Sequence, residues 1–234
     1  MTDEKRIKLF STHPHPCSYF DDREAKTLFV DPDIAVSSSL YSLLSQRGFR
    51  RSGNHYYRPN CEGCQQCIPC RVPVAEFTFS RNQRKLFNRN ADLTVVATRE
   101  LSTQAYGLYE RYINARHTDG DMYPADPEQF ASFITEGRSD TRYIHFYDND
   151  RLISVAVSDP VEDGVSAIYT FYDPDDRRRS LGKYAVLWQI MQCQQRNLPY
   201  VYLGYWIRDC NKMRYKTNYR PIELLMSQRW IRLN

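Results

Sequence analysis

No apolar run in this chain approaches the length of a membrane span, and the opening MTDEKRIKLFSTHPHP has charges but no long hydrophobic stretch followed by small residues. An uncleaved, cytoplasmic protein with no membrane partner is therefore expected. Acidic residues are scarce in one region, where between Arg47 and Asn90 only Glu62 and Glu76 face nine Lys or Arg. That scarcity leaves two readings, a solvated basic face or a footprint for phosphates, because clustered cations displace the counterions condensed on nucleic acid. Tyr56, Tyr57 and Phe87 interleave the stretch, and aromatic faces can stack unpaired bases. The seven cysteines are an odd number and no export signal accompanies them, which argues against a disulfide framework and leaves metal, redox or buried thiols.

What is present otherwise is ordinary. With 234 residues, 41% hydrophobic and 26% charged, and a net charge of +4, the chain can bury a core as one large domain or two small ones. Its 18 tyrosines, taken by themselves, decide nothing. The unusual stretch is YRPNCEGCQQCIPCRVP at 57–73, with Cys61, Cys64, Cys67 and Cys70 at three-residue steps. By spacing alone these four thiols could ligate zinc or an iron-sulfur cluster as one compact set, or they could be reduced thiols in a loop. Cys193, inside an apolar helix, and Cys210 have no cysteine neighbour at ligand spacing and read as ordinary thiols.

The period of the apolar residues gives an α+β class. Residues 37–47 are helical with Gly48 as the stop, and a hairpin turns at Ser52, Gly53 and Asn54. RVPVAEFTF (71–79) alternates as a strand, Ser80 caps a basic helix through Asn88, and LTVVATR is a further strand. A helix runs from Ser102 or Thr103 to Arg116, and Asp126-Pro127 opens another that Gly137 ends. A hairpin turning at Asp148 to Asp150 and the strand VSAIYTFYD follow. RRRSLGKYAVLWQIMQCQQRN is a basic, glycine-bearing turn leading into a helix, and YVYLGYWI is the next strand. This strand, turn, helix and parallel strand form one crossover whose turn offers NH groups and a positive helix end to an anion. It is similar to the core of GNAT acyltransferases, whose phosphate-cradling motif falls here on Arg179, Gly182 and Tyr184, with Tyr184 in place of a small residue.

The chain as a whole carries a more specific likeness. HPCSYF (15–20), GFRRSGNHYYRPNCEGCQQC (48–67), CRVPV (70–74), YERYINARH (109–117), YTFYDPD (169–175), SLGKYAVLWQI (180–190) and YLGYWIRDCNKMRYK (202–216) together resemble the aminoacyl-tRNA:protein transferases of the arginyltransferase type. The likeness is greatest to the short bacterial branch, the aspartate/glutamate leucyltransferases. The resemblance implies two packed GNAT-like mixed-sheet halves, 1–100 with the cysteine loop and 101–234. It also implies transfer of leucine from Leu-tRNA to the N-terminal Asp or Glu of proteins, which creates a degradation signal, with no nucleotide cofactor. The metal set it implies is Cys17, Cys61, Cys64 and Cys67, with Cys70 as an extra. Arginine as the transferred residue, a coenzyme A-dependent acetyltransferase and a non-catalytic RNA-binding zinc protein are the alternatives.

The implied reaction is aminolysis of an activated ester by an α-amine. That amine titrates near about 7.7 to 8.0, so positioning and charge neutralisation carry most of the catalysis. An acidic acceptor calls for a cation, and Arg50, Arg51, Arg58, Arg116 and Lys216 are the candidates. Asp173 could orient or deprotonate the amine, or Asp173-Pro174 could simply start a turn. Tyr172 and His117 are further polar candidates. Arg177, Arg178, Arg179 and Gly182, with Arg208, Lys212, Arg214, Lys216 and Arg220, are expected to meet the tRNA acceptor end.

Overall fold

The computed structural model describes residues 7–234. In chain order the strands and helices are β1 (Leu9–Ser11), β2 (His15–Pro16), β3 (Glu24–Ala25), β4 (Thr27–Val30), α1 (Ser38–Gln46), β5 (Arg50–Ser52), β6 (His55–Pro59), β7 (Ile68–Pro73), α2 (Arg81–Arg89), β8 (Thr94–Thr98), α3 (Ala105–Arg116), α4 (Pro127–Phe130), β9 (Arg142–Asp148), β10 (Arg151–Val161), β11 (Gly164–Tyr172), α5 (Leu181–Gln195), β12 (Tyr200–Trp206), β13 (Ile222–Met226) and β14 (Arg229–Leu233). No helix among the described residues is long and apolar enough to cross a membrane.

The mixed α+β architecture rests on two main sheets. The smaller has the order β1-β4-β6-β5, and the larger β14-β13-β7-β12-β11-β10-β9-β8. The larger sheet takes β7 from the first half of the chain and sets it between β12 and β13 of the second. One core lies against α5, gathering Leu181, Leu187 and Ile190 with Val72, Phe146 and Val201. A second joins Tyr109 and Ile113 of α3 to Val155 and Phe171. A third joins Tyr41 and Leu44 of α1 to Tyr56, Val161 and Tyr202.

Local chemistry explains most of the element ends. Ser80 and Gln83 form a reciprocal capping box at the start of α2, and Ser37 caps α1 through the Leu40 amide. The strand expected through Phe79 stops at Pro73 and turns into a 3-10 segment at Val74–Glu76. The Val74 amide donates to the Pro199 carbonyl at 2.8 Å, which draws it out of the ladder. Phe77 and Phe79 then pack edge to face, and Phe79 meets Phe87 of α2 at 5.2 Å. Tyr184, at the motif position where a small residue was expected, faces the core against Phe87 and Phe146, each at 5.5 Å.

A fully buried ion pair joins β5 to β10. Arg51 Nε and Nη2 donate to Asp159 at 2.6 and 3.0 Å, and the Tyr41 and Thr141 hydroxyls donate to the same carboxylate at 3.0 and 2.7 Å. Burial opposes the Arg51 charge, but its hydrogen bonds and charge pairing with Asp159 hold it protonated.

Candidate active site at the parting of two strands

The parallel strands β11 and β12 pair only where Gly164, Val165 and Ser166 lie beside Tyr200, Val201 and Tyr202, then diverge on either side of the crossover helix α5. Divergence leaves backbone groups of β11 without a ladder partner, and they must be satisfied another way. Arg50 enters from β5 and does this. Its Nη1 donates to Ser166 Oγ at 2.8 Å, and its Nη2 donates to the Ala167 carbonyl and, at 3.4 Å, to that of Ile168. Room for the guanidinium is made by Gly204, which sits at a bulge with φ +78° and would place a Cβ 3.0 Å from Arg50 Nε. Side chains from β5, β6, β11, β12 and the turn behind β12 gather at the parting in a largely buried polar cluster, termed the chamber.

Lys216 occupies the floor of that chamber, in a 3-10 turn (Arg214–Asn218) behind β12. Only 7% exposed, its ammonium donates to the Tyr205 carbonyl at 2.6 Å. Burial draws its pKa down to about 8, the nearby Arg50 charge adds to the shift, and the neighbouring thiols Cys70, Cys210 and Cys67 oppose it. No carboxylate faces it among the described residues, and the amine, mostly charged at pH 7, is half-charged near pH 8. Tyr205 donates to the backbone carbonyls of Gly48 and Tyr57 at 3.0 and 3.2 Å, locking β12 to the β5–β6 hairpin. Burial raises the Tyr57 and Tyr205 hydroxyls above their ordinary range, so both stay protonated as neutral donors. Tyr215 contributes a hydroxyl pushed up to about 12 by burial and by the nearby Cys70 and Tyr172.

Several of the residues singled out in the sequence have other tasks. Asp173 is 2% exposed and pairs with Arg151 at 2.9 Å and Arg111 at 3.7 Å, while its other oxygen accepts from the Asp175 amide. It therefore organises the turn after β11. Arg51 is committed to Asp159 and is withdrawn from acceptor binding. Arg58 lies over the Phe49 ring, and Arg116 donates to the Pro174 carbonyl at 3.0 Å. Arg179 is held by Asp92 at 2.7 Å, Asp176 at 3.2 Å and Asp148 at 3.5 Å. Arg178 is exposed at the surface, where its carbonyl accepts from Arg89, and Lys212 pairs with Asp119 at 2.6 Å. Gly182 is small because Tyr172 covers it, and a Cβ there would meet the ring at 2.9 Å.

Tyr172 does belong to the chamber. Its ring stands 4.8 Å from that of Tyr112, whose hydroxyl is 3.0 Å from His117 Nε2. Burial, then Lys212, lowers the His117 pKa, so its ring is neutral at physiological pH. Of the acceptor and amine candidates, the structure thus brings Arg50, Lys216 and Tyr172 to one place. Tyr57 was singled out only as an aromatic that could stack a base, and Tyr205, Tyr215 and Ser166 were missed, because a content of 18 tyrosines carries no position by itself.

The thiols also gather. Cys67 is pushed up to about 12 by burial and then by Cys17, Cys61, Cys64 and Cys210, which places all five in one neighbourhood. Cys210 thus lies within electrostatic reach of Cys67, whereas Cys193 is a core residue of α5 as expected. Arg23 donates to Cys64 Sγ at 3.9 Å, and the Cys61 thiol donates to the Lys26 carbonyl at 3.7 Å. The donor set suits a thiophilic ion or cluster. Among the described residues, however, no three His, Cys, Asp or Glu side chains converge on a coordination centre. Cys70 is buried in β7, with its thiol pushed up to about 11, and its surroundings are Lys216 and Arg50.

The family models for "Arginine-tRNA-protein transferase, N terminus" and "C terminus" match residues 15–85 and 104–226. The chain belongs to the arginine-tRNA-protein transferase family. Relatives of this transferase include proteins named aspartate/glutamate leucyltransferase. The one from Hahella chejuensis is 51% identical over 99% of each chain, and the one from Teredinibacter turnerae is 52% identical over 100% of this chain and 97% of its own. Among solved structures, L-PGS from Bacillus licheniformis matches the transferase with a TM-score of 0.46 at 9% identity, over 62% of this chain and 48% of that one. The two family models meet in the chamber, since Arg50 and Tyr57 come from the first and Tyr172, Tyr205 and Lys216 from the second.

Proposed function

We propose that this chain transfers leucine from leucyl-tRNA to the α-amine of proteins that begin with aspartate or glutamate. The observation that carries the reading is identity above 50% along essentially the whole chain to proteins named for that activity. In the reaction the α-amine attacks the ester carbonyl, the new amide forms, and the ribose oxygen leaves with a proton. Arg50 and Lys216 supply the positive field that an acidic acceptor side chain requires. A carboxylate entering the chamber offsets the cost of burying the Lys216 ammonium, whereas a neutral side chain would leave that cost in place. The hydroxyl of Tyr172, and behind it Tyr112 and His117, provide a neutral polar wall beside the ester. Cys17, Cys61, Cys64 and Cys67 would hold zinc or an iron-sulfur cluster that fastens the N-terminal segment to the loop after β6, with Cys210 next to them.

The experiment is a transfer assay with labelled leucyl-tRNA or arginyl-tRNA and peptides beginning with Asp, Glu, Lys or Ala. Leucine on the Asp and Glu peptides alone is the expected result. Arginine on those peptides would keep the mechanism and change the donor, and label on neither would overturn the reading.

A further inference from the structure

Joining two large molecules at a buried place requires two ways in from solvent. Lys216 is 7% exposed and Arg50 is held against β11, so both substrates must reach them past other side chains. Two tyrosines run from the surface to the chamber. Tyr215 is 39% exposed, and its hydroxyl has Tyr172 within electrostatic reach, on the side where the ester is placed above. Tyr19, in the loop between β2 and β3, is 36% exposed, and its hydroxyl has Tyr57, Cys67, Cys210 and Arg50 within reach. Tyr19 therefore stands where the chamber meets solvent away from Tyr172.

The loop that carries Tyr19 is fixed from both sides. The Cys17 amide donates to the Arg23 carbonyl at 3.0 Å and closes the loop on itself. Arg23 lies 4.2 Å from the centre of the Phe20 ring and donates to Cys64 Sγ at 3.9 Å, which ties one flank to the cysteine loop. On the other flank the Ser18 hydroxyl donates to Asp121 at 3.1 Å, in the segment between α3 and α4. Tyr19 sits between these anchors, so its ring is placed by residues from both halves of the chain.

Hydrogen bonding shows what this side of the chamber is short of. Arg50 spends its terminal nitrogens on Ser166 and on the Ala167 and Ile168 carbonyls, so it offers an acidic group its charge more than its donors. The Tyr19 and Tyr57 hydroxyls, by contrast, have no hydrogen-bond partner among the described residues. Two unspent O–H donors beside an unpaired guanidinium match a carboxylate, which accepts at both oxygens and binds such donors more strongly than a neutral acceptor does.

We propose that Tyr19 is a specificity-determining residue for the acceptor, its hydroxyl donating with that of Tyr57 to the side-chain carboxylate of the peptide's N-terminal Asp or Glu. This rests on the acidic acceptor proposed above. Arg50 and Lys216 supply the positive field, Tyr19 and Tyr57 supply the directed bonds, and the exposed face of the Tyr19 ring lies along the residues of the peptide that remain in solvent.

The test is steady-state transfer by the wild type and by Tyr19→Phe, with peptides beginning with Asp or Glu varied at saturating leucyl-tRNA, and then leucyl-tRNA varied at fixed peptide. Tyr19→Phe should raise the KM for both peptides about tenfold, the worth of one hydrogen bond to a charged group, and leave the KM for leucyl-tRNA within about twofold of the wild type. Its melting temperature should equal that of the wild type, because the hydroxyl has no internal partner to lose. An unchanged peptide KM, or an equal rise for peptide and leucyl-tRNA, would overturn the assignment while leaving the transfer reading intact. A clear fall in melting temperature would overturn it as well, since the hydroxyl would then be bonded within the protein. A wild type that labels neither peptide would overturn the transfer reading itself.

Discussion

Lys216 is the residue at which sequence and structure differ most usefully. In the sequence it is one cation among many near the C-terminus, and in the fold it is a buried amine without a counter-charge. Its pKa of about 8 is well below the ordinary lysine value, so the unfolded chain binds the proton more tightly than the folded one. The sign follows directly. Stability is diminished below the folded pKa, where the ammonium must be buried, and recovers as pH rises from about 8 toward the ordinary value. The full effect is about 3 kcal/mol by the linkage between pKa and free energy. Lys216→Met should therefore be more stable than the wild type at pH 7, with the difference shrinking toward pH 9.5 in urea denaturation. The same variant should lose transfer to Asp and Glu peptides by at least about a hundredfold, as expected when a buried charge partner is removed. A variant that is stabilised and still active would remove Lys216 from acceptor binding. The thiols give a second test at this scale. Metal measured on purified protein should be retained in Cys70→Ala, whose thiol is buried beside Lys216, and lost in Cys17→Ala; the reverse pattern would sink the proposed ligand set.

Among the elements, the crossover β11–α5–β12 shows what sequence could and could not convey. Helix, strands and order were legible, because the long apolar run of α5 lies between two runs rich in β-branched and aromatic residues. The same holds for α1, the β5–β6 hairpin and α2, all set by local chemistry. The insertion of β7 between β12 and β13 was not legible, because that pairing joins residues more than a hundred positions apart, and the local hairpin β13–β14 was missed because its turn places Ser227 and Gln228 at positive φ with no glycine to mark it. The glycine of the turn was read as a phosphate cradle, whereas it makes room for the Tyr172 ring. Gly182→Ala separates these accounts. Alanine gains up to about 1 kcal/mol of helix propensity, offset by the ring contact, so thermal stability should change little. Transfer should fall roughly tenfold as the Tyr172 ring is pushed from its place beside Tyr112, while uncharged tRNA binding stays the same. Weakened tRNA binding with unchanged turnover of bound substrate would restore the phosphate account.

At the scale of the whole molecule, the chamber depends on two parts of the chain being held in register, since Arg50 and Tyr57 come from before residue 100 and Tyr172, Tyr205 and Lys216 from after it. The buried Arg51–Asp159 pair is a polar tie between them, and it lies next to Arg50 on β5. A buried pair of this kind contributes little against an apolar replacement of the same shape, because desolvation consumes most of the Coulomb attraction, but losing one partner strands the other. Here the penalty for stranding is compounded, because Tyr41 and Thr141 also donate to Asp159. Arg51→Met alone should therefore cost about 3 to 5 kcal/mol in urea denaturation, and Asp159→Leu alone a similar amount. The double variant should cost clearly less than the sum, a coupling that identifies direct interaction. Transfer should follow position and not stability, so a double variant that regains the fold but lets β5 shift would bind tRNA normally and turn over acidic peptides slowly. Costs that simply add would show that the pair does not couple the two parts, and the register of Arg50 would then have to come from Tyr205 with its two backbone acceptors and from Arg50's own bonds to Ser166, Ala167 and Ile168.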